Sequence, residues 1–382
     1  MKKVLILGGG FAGIQAAIEL QKDKNFEVTL VSDRDYLYVF PISIWVPVRV
    51  KEFDDVKIPL AAISKKHKFQ VVIDQVTGIN ATEHTVTCQT RNFTYDYLVL
   101  AFGADKLMHK GMENTLSICG KPQMAVDIRD KMDALVAKGS GKIAIGFGGN
   151  PKDKSAVRGG PAFELMFNIH NYLKRKKIRQ NFELTFFAPM PEPGAKMGPN
   201  ALKMIGSMFG KYNIKQHFGK KITEFVNDGV LFEDGSKLDS DFTMFISAST
   251  GPTLLKDSGL PLSESGFVKI NDHGQVNGFN NVFAIGDIAA LEGPDWAAKQ
   301  GHLAELMGKN AAFNIIQIEN GSEERKGYQE HLNILCIMDT GDGAAFVYRK
   351  GPKAYMIPMP IVGHWLKKAW GIYNRFTKTG LA

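Results

Sequence analysis

A glycine-rich turn near the N-terminus constrains the fold of this chain more than any other feature of the sequence. An apolar strand at residues 4–7 runs into the glycines of residues 8–13, and a helical pattern follows at residues 14–20. In this order Gly8 makes a tight turn, Gly10 lets the backbone approach a pyrophosphate, and Gly13 allows close packing of helix on strand. The pattern predicts a dinucleotide site with contacts from Gly8, Gly10, Phe11, Ala12 and Gly13.

The end of the second strand is the expected position of the adenosine ribose. This strand, residues 26–32, ends at Ser32 and is followed by Asp33. Dinucleotide sites usually carry an acidic residue at this point. The ribose contact can therefore come from either residue.

A buried strand that closes on a glycine turn occurs twice, at residues 95–104 and again at residues 281–287. The turn residues are Ala101, Gly103, Gly286 and Asp287. From the residues alone, Asp287 reads as the cap of a helix beginning at Ile288, because aspartate is a favoured helix cap.

Length and composition limit the remaining possibilities. The 382 residues allow two domains, or one domain inserted into another. No stretch approaches the roughly 20 apolar residues of a spanning helix, and the apolar run at residues 4–7 is too short for a signal peptide, so we expect a cytoplasmic protein. Three scattered cysteines argue against a disulfide framework or a metal site. The net charge of +8 is compatible with binding to nucleic acid or to anionic lipid, or with no specific partner.

The two strand-and-turn segments, YDYLVLAFGA and NVFAIGD, resemble signatures of flavoproteins with two dinucleotide-binding domains. The resemblance implies FAD, with Asp287 on its ribityl chain. Because this residue lies far from the first glycine turn, the FAD domain must be discontinuous. We expect an α/β fold with two Rossmann-like domains and a short C-terminal segment. The expected divisions are 1–104 and 241–325 for the FAD domain, 105–240 for the inserted domain, and 326–382 for a segment that covers the flavin.

The inserted domain departs from an NADH site in two places. A strand at residues 142–145 is followed by glycines that do not open a helix, because the polar residues 152–158 intervene before a helix at 162–176 with Pro161 in its first turn. The next strand, 183–187, ends without an acidic residue for a ribose. These departures disfavour NAD(P)H as the direct electron donor.

Nearly the whole chain resembles the sulfide:quinone oxidoreductase and flavocytochrome c sulfide dehydrogenase group, which is related to type II NADH dehydrogenases. The segments that carry the resemblance are YLYVFPISIWV at 36–46, SIC at 117–119, GGNPKDKSAVRGGPAFEL at 148–165, AKQGHLAE at 298–305 and CIMDTGDGAAFV at 336–347. The first of these contributes Pro41 and Trp45 to the expected FAD contacts.

In this family two cysteines flank the flavin and carry sulfur, and the resemblance puts Cys336 at one of these positions. The family pattern CxGPxxE begins here with Arg158, which cannot form a polysulfide bridge. Arg158 would favour the Cys336 thiolate or hold an anionic sulfur substrate, or it is a solvated loop residue. Without the resemblance, Cys336 reads as a buried apolar cysteine. Cys119 matches a third family cysteine near the flavin, and Cys88 is expected to be structural.

Two further side chains are expected near the flavin. Glu164, one turn into the helix after Pro161, would relay protons to the reduced flavin or the quinone; an acidic residue is also favourable there on electrostatic grounds alone. Lys299 would place a cation near the flavin pyrimidine and stabilise its anionic reduced form. The alternative for Lys299 is an ordinary surface lysine.

The last 20 residues predict a helix with an apolar and a basic face. The apolar side chains are Trp365, Leu366, Ala369, Trp370, Ile372, Tyr373 and Phe376, and the polar ones, mainly opposite, are Lys367, Lys368, Asn374, Arg375 and Lys378. This pattern favours a helix at a membrane surface with its lysines toward anionic lipid, although packing onto the protein body gives a similar pattern. The helix is short for the family, so we expect weak attachment or attachment as a homodimer.

The expected function is oxidation of a small reduced sulfur species by an FAD enzyme on the inner face of the cell membrane, with electrons passed to quinone. We expect no role for nucleic acid. Two alternatives stay open: a type II NADH:quinone oxidoreductase, and a flavin-binding redox sensor or partner protein that no longer turns over.

Overall fold

The structure is a computed structural model that describes residues 1–380. Eight α-helices lie in this part of the chain. They are Phe11–Leu20, Phe40–Ser43, Leu60–His67, Met124–Lys138, Gly160–Arg175, Pro199–Lys211, Gly301–Glu319 and Val362–Thr379. The helix Gly160–Arg175 is called the insert helix below, and Val362–Thr379 the terminal helix.

The first sheet has five parallel strands. In spatial order they are Val282–Ala284, Tyr97–Leu100, Lys2–Leu7, Phe26–Ser32 and Gln70–Ile73. The central strands are almost wholly buried, which explains their continuous apolar sequence. An edge strand from residues 282–284 completes a sheet begun at residue 2, so this sheet is built from two distant parts of the chain.

The second sheet belongs to the inserted segment and has four parallel strands, ordered Ile214–Phe218, Phe182–Ala188, Gly141–Phe147 and Phe242–Ile246. The last strand lies beyond residue 240, so the sheet extends past the expected boundary of the insert. The chain passes between the two sheets at Asp105–Lys106 and Ser249–Thr250, which pair antiparallel. The predicted α/β fold with two dinucleotide-binding units is confirmed.

Short antiparallel pairings accompany these two sheets. Their strands are Tyr36–Tyr38 with Lys57–Pro59; Val76–Asn80, Thr85–Cys88 and Asn92–Thr94; and Ile222–Val226, Gly229–Phe232 and Lys237–Asp239. Val268–Lys269 pairs in parallel with Ala289–Ala290.

The C-terminal segment forms an antiparallel sheet and a helix. The strands are Ile334–Asp339, Gly343–Lys350 and Lys353–Pro360. The terminal helix follows and is capped by Gly380, whose φ of 74° is the left-handed conformation of a helix C-cap. Among residues 1–380, no helix is long and apolar enough to cross a membrane.

Candidate flavin and redox site

The first glycine turn has the shape that a pyrophosphate requires. Gly8 has a φ of +117°, and a Cβ there would lie 2.5 Å from the Ala101 carbonyl oxygen. A Cβ on Gly13 would lie 2.1 Å from the carbonyl oxygen of Gly8. Gly10 differs, since its nearest neighbour would be the Ala101 oxygen at 3.9 Å. The turn is therefore packed at Gly8 and Gly13 and open at Gly10, which fits a dinucleotide phosphate at the start of helix Phe11–Leu20.

The two candidate ribose residues have different surroundings. Ser32 is 3% exposed, and its Oγ accepts a hydrogen bond from the Arg34 backbone N–H at 3.2 Å. A Cβ on Gly9 would lie 2.6 Å from this Oγ, so the hydroxyl borders the glycine turn. The Asp33 side chain is 67% exposed and pairs with Arg34. Ser32 is thus the residue of the two that faces the turn.

Asp287 does not cap a helix. Residues Gly286–Ile288 form a single 3-10 turn, and the strand Ala289–Ala290 follows at once. The alternative of a helix beginning at Ile288 is therefore wrong. Asp287 instead forms an ion pair with Arg158, and the Arg158 Nε is buried without a hydrogen-bond partner in the described chain. The residue that replaces the family cysteine thus contacts the predicted ribityl ligand.

Several cations surround this ion pair. Burial, followed by the charge of Arg158, lowers the pKa of Lys106 to about 8. Burial raises the pKa of Cys119, and the charges of Lys106 and Arg158 oppose that rise. Arg158 is therefore within electrostatic reach of Cys119, and it is not the solvated loop residue of the alternative interpretation.

Lys299 is buried, with 4% of its surface exposed, so it is not an ordinary surface lysine. Its ammonium donates to the Ala289 carbonyl and lies 4.1 Å from the centre of the Phe267 ring. Burial lowers the pKa of Lys299 to about 7; Asp153 opposes this shift and Arg158 adds to it. Lys299 can therefore gain or lose a proton near neutral pH.

Cys336 lies on the strand Ile334–Asp339 and is partly buried. Burial raises the pKa of the Cys336 thiol to about 12; Glu164 raises it further and Lys367 lowers it. The expectation that Arg158 stabilises a Cys336 thiolate is wrong for this structure, because Arg158 pairs with Asp287 and burial outweighs the nearby cation. Burial therefore favours the neutral form of the Cys336 thiol.

Glu164, in the first turns of the insert helix, is buried and doubly hydrogen-bonded. It accepts a hydrogen bond from the Asp339 backbone N–H at 2.8 Å and forms an ion pair with Lys367 of the terminal helix. Burial raises the pKa of Glu164, and Lys367 opposes that shift. A buried carboxylate that is paired with an ammonium group, as Glu164 is with Lys367, is suited to accept a proton.

Asp339 is the centre of a second polar cluster. Its carboxylate is 0% exposed and accepts hydrogen bonds from Trp45 Nε1 at 3.2 Å and the Gly341 backbone N–H at 2.9 Å, and it pairs with His364 Nδ1 at 2.6 Å. Burial alone would raise the pKa of Asp339, but the hydrogen bond and charge of His364 and the charge of Lys367 hold it below its ordinary value. Trp45, expected among the FAD contacts, therefore donates its indole N–H to this cluster.

The terminal helix has its polar face inward. Lys367 and Lys378 are 5% and 3% exposed, and Lys378 pairs with Glu305 at 2.8 Å. The expectation that these two lysines face anionic lipid is therefore wrong, because the carboxylates of Glu164 and Glu305 on the protein body attract them. The apolar residues that are more than 40% exposed on this helix are Val362, Trp365, Leu366, Ile372, Tyr373 and Phe376. The packing alternative, with the apolar face against the body, is wrong as well.

Two residues of the site, Asp339 and His364, were not singled out from the sequence. A signal existed for His364 but not for Asp339, since polar or small residues recur at helical spacing along the terminal helix. They are His364, Lys367, Gly371, Asn374 and Lys378. Such a stripe marks one polar face of the helix but does not say which of the two faces is buried.

The loop that replaces the glycine turn of the insert is tied to the FAD domain. Lys154 Nζ lies 2.6 Å from Asp295 Oδ2, and the Lys299 backbone N–H donates to the Ser155 carbonyl at 3.3 Å. The insert helix starts at Gly160, after the polar residues 152–158 and two residues before the predicted bound of 162. These contacts hold residues 152–158 across the crevice between the two domains.

Comparisons with known proteins identify the family of this chain. The family model for pyridine nucleotide-disulphide oxidoreductases matches residues 2–308. A sulfide-quinone reductase of Aquifex aeolicus is 28% identical over 371 residues, which cover 91% of this chain and 83% of the relative. A type II NADH:quinone oxidoreductase of Staphylococcus aureus is 25% identical and covers 99% of this chain and 98% of its own length.

The fold has a close counterpart among solved structures. The crystal structure of the sulfide:quinone oxidoreductase from Aquifex aeolicus superimposes with a TM-score of 0.89 at 25% identity and covers 100% of this chain and 92% of its own. FAD is the cofactor of this family, and the glycine turn at residues 8–13 has the shape to hold it. The chain therefore belongs to the pyridine nucleotide-disulphide oxidoreductase family, as an FAD-dependent oxidoreductase related to sulfide:quinone and type II NADH:quinone oxidoreductases.

Proposed function

We propose that this enzyme oxidises a small reduced sulfur species at Cys336 and passes the electrons to a membrane quinone. One observation carries the proposal: the strand that holds Cys336 ends at Asp339, whose backbone N–H donates to Glu164, and Glu164 pairs with Lys367. This ion pair joins the insert helix to the terminal helix, whose apolar face is exposed. The Glu164–Lys367 pair thus connects the Cys336 strand, through a candidate proton acceptor, to a helix surface suited to a lipid-soluble substrate.

The sulfur chemistry begins with a neutral thiol. Glu164, whose pKa burial raises, is the group suited to accept the proton as Cys336 reacts. With HS⁻ as substrate, Cys336 forms a sulfur–sulfur bond and becomes a persulfide, with release of one proton and two electrons. Bound FAD supplies the two-electron acceptor for this step. Asp287, Lys299 and the glycine turn are the residues proposed to hold it.

Arg158 determines how the sulfur leaves. The family position that carries a second cysteine holds an arginine here, so a sulfur chain cannot be suspended between two protein thiols. The sulfur atom on Cys336 must pass to an external acceptor. Transfer to sulfite gives thiosulfate and restores the thiol, without any further change in oxidation state of the enzyme.

The terminal helix is the proposed membrane contact. Its exposed face carries Trp365, Ile372, Tyr373 and Phe376, and the C-terminal sheet that it contacts adds exposed Tyr355 and Ile357. Aromatic and aliphatic side chains of this kind suit the headgroup region of a bilayer. We propose peripheral attachment at the inner face of the cell membrane, which would let a quinone reach the site from the lipid.

An NADH:quinone oxidoreductase is the second candidate, because the Staphylococcus aureus relative covers nearly the whole chain. The geometry of the insert supports it less. Residues 152–158 occupy the position of a phosphate-binding turn and are tied to Asp295 and Lys299. The second strand of the insert, Phe182–Ala188, leads into prolines and has no acidic residue at its end.

The experiment that separates the candidates is anaerobic titration of the purified protein with sulfide and, separately, with NADH, followed by flavin absorbance. We expect bleaching by sulfide and reoxidation by added quinone. Cys336→Ser should abolish bleaching by sulfide, while Cys88→Ser should behave as the wild type. Bleaching by NADH alone would overturn the proposal in favour of the second candidate.

A further inference from the structure

The His364–Asp339 pair has a geometry that the mechanism above does not use. Asp339 is fully buried, and its carboxylate accepts from Trp45 and Gly341 while it pairs with His364 Nδ1 at 2.6 Å. Because an ionised carboxylate only accepts hydrogen bonds, the Nδ1 of His364 carries the proton. This arrangement fixes the ring tautomer and directs Nε2 away from the carboxylate.

The second ring nitrogen is free to react. Within residues 1–380, Nε2 of His364 has no hydrogen-bond partner, and 16% of the side chain is exposed. The Trp45 ring lies against the imidazole, with centroids 5.3 Å apart at an angle of 61°. A histidine held at one nitrogen by a buried carboxylate and open at the other is the arrangement of a general acid or base.

This pair lies one helical turn from the Glu164–Lys367 pair. His364 and Lys367 are three residues apart on the buried face of the terminal helix, a rise of about 4.5 Å. The Asp339 backbone N–H also donates to Glu164 at 2.8 Å, which fastens the two pairs to each other. The charged groups around His364 are Asp339 from the C-terminal sheet, Glu164 from the insert helix and Lys367 from its own helix.

Reduction of a quinone takes two electrons and two protons, one proton at each of the two oxygens on opposite sides of the ring. We propose that His364, oriented by Asp339 and protonated on Nε2 as well as on Nδ1, donates its Nε2 proton to one quinone oxygen, while the Glu164–Lys367 pair supplies the other proton. This inference rests on the proposed quinone reductase activity. His364 regains its proton from solvent through the exposed Nε2, and Asp339 stays ionised and acts as the positioning residue.

The test compares an acceptor that takes protons with one that does not. Sulfide-reduced enzyme is mixed with a soluble quinone or with ferricyanide, and flavin reoxidation is followed by stopped flow. For His364→Ala we expect a loss of about 100-fold with quinone and less than about twofold with ferricyanide. Added imidazole should restore part of the quinone rate. His331→Asn, at a half-exposed histidine paired with Glu330, serves as the control and should change neither rate.

A second measurement does not depend on turnover. In ¹⁵N-histidine-labelled holoenzyme, the Nδ1 proton between His364 and Asp339 should give a strongly downfield signal that disappears in His364→Asn and in Asp339→Asn. An unchanged quinone rate in His364→Ala overturns the inference, as does an equal loss with quinone and ferricyanide. If the wild type reduces ferricyanide but no quinone, the proposed function fails and the inference fails with it.

Discussion

Lys367 of the terminal helix and Glu164 of the insert helix form a buried ion pair across 203 positions of the sequence. Their side chains are 6% and 11% exposed. Through this pair the C-terminal element of the chain is fixed to the second domain, close to the thiol of Cys336. The helix that we propose to meet the membrane is thus held by the same residues that serve the redox site.

Removal of Lys367 should leave Glu164 buried without its cation. We expect Lys367→Met to lower the free energy of unfolding by about 3 kcal/mol, because an uncompensated buried charge is costly. Lys368→Met, whose ammonium only lies over the Trp365 ring at 5.1 Å, should cost less than about 1 kcal/mol. Urea unfolding of both variants measures the difference. Equal losses of unfolding free energy in the two variants would show that the Glu164–Lys367 pair makes no specific contribution to stability.

The double variant refines this prediction. Glu164→Gln with Lys367→Met removes both charges, so its loss should be smaller than the sum of the two single losses. Strictly additive losses would contradict the direct coupling of the two side chains.

The thiol of Cys336 should react slowly with iodoacetamide. Since burial raises its pKa to about 12, the thiolate is scarce at neutral pH. As the pH is increased toward that value, the alkylation rate should rise about tenfold per pH unit. Glu164→Gln removes a charge that raises the pKa, so this variant should react about fivefold faster. Mass spectrometry of the Cys336 peptide gives the rates. A rate as fast as that of a free cysteine would exclude the buried thiol.

The apolar face of the terminal helix is testable without deletion of the helix. Deletion of residues 363–382 would also remove His364, Lys367 and Lys378, and so would disturb the site itself. Ile372→Ser with Phe376→Ser should instead weaken binding to vesicles of anionic phospholipid at least about tenfold, because each side chain is worth roughly 1.5–3 kcal/mol when buried. Met108→Ser, exposed elsewhere, is the control. Equal co-sedimentation of both variants would contradict a membrane role for this face.

The fold was predictable because its signals are local. The strand, glycine turn and helix at residues 2–20 follow from spacing alone, and so does the displaced start of the insert helix at Gly160. The orientation of the terminal helix was not predictable from its own sequence. An apolar face turns inward unless the body offers better partners, and here Glu164 and Glu305, both distant in sequence, attract Lys367 and Lys378.

The partner of Arg158 could not be predicted from the sequence for the same reason. Its replacement of a family cysteine is visible in the sequence, and from it we expected a charge beside Cys336. The partner is Asp287, 129 residues away, because the two segments meet only when the insert closes on the FAD domain. Long-range charge pairs depend on tertiary contacts that no local pattern encodes.

The glycine turn gives a prediction that separates cofactor binding from folding. Gly10→Val should yield folded, colourless protein. A Cβ at this position would meet no protein atom closer than 3.9 Å, but the side chain would occupy the expected place of the pyrophosphate. Gly13→Ala should reduce stability instead, since its Cβ would lie 2.1 Å from the Gly8 oxygen. Gly206→Val, on a helix position with no neighbour within 4 Å, is the control and should stay yellow. Thermal melts and FAD content distinguish the three, and full FAD retention by Gly10→Val would contradict the site.

The last prediction concerns the arginine at the family cysteine position. With one sulfur-carrying cysteine, turnover with sulfide and quinone should be slow until an external acceptor removes the sulfur from Cys336. Added sulfite should therefore raise the steady-state rate at least about tenfold and produce one thiosulfate per quinone reduced. The stimulation should be absent in Cys336→Ser. In Arg158→Cys a second thiol can take up the sulfur, so the dependence on sulfite should weaken and polysulfide should appear among the products. Arg158→Met loses the same ion pair with Asp287 but gains no thiol, so it serves as the matched control and should still need sulfite. If the wild type turns over at its full rate without any acceptor, sulfur does not remain on Cys336, and the one-cysteine mechanism is wrong.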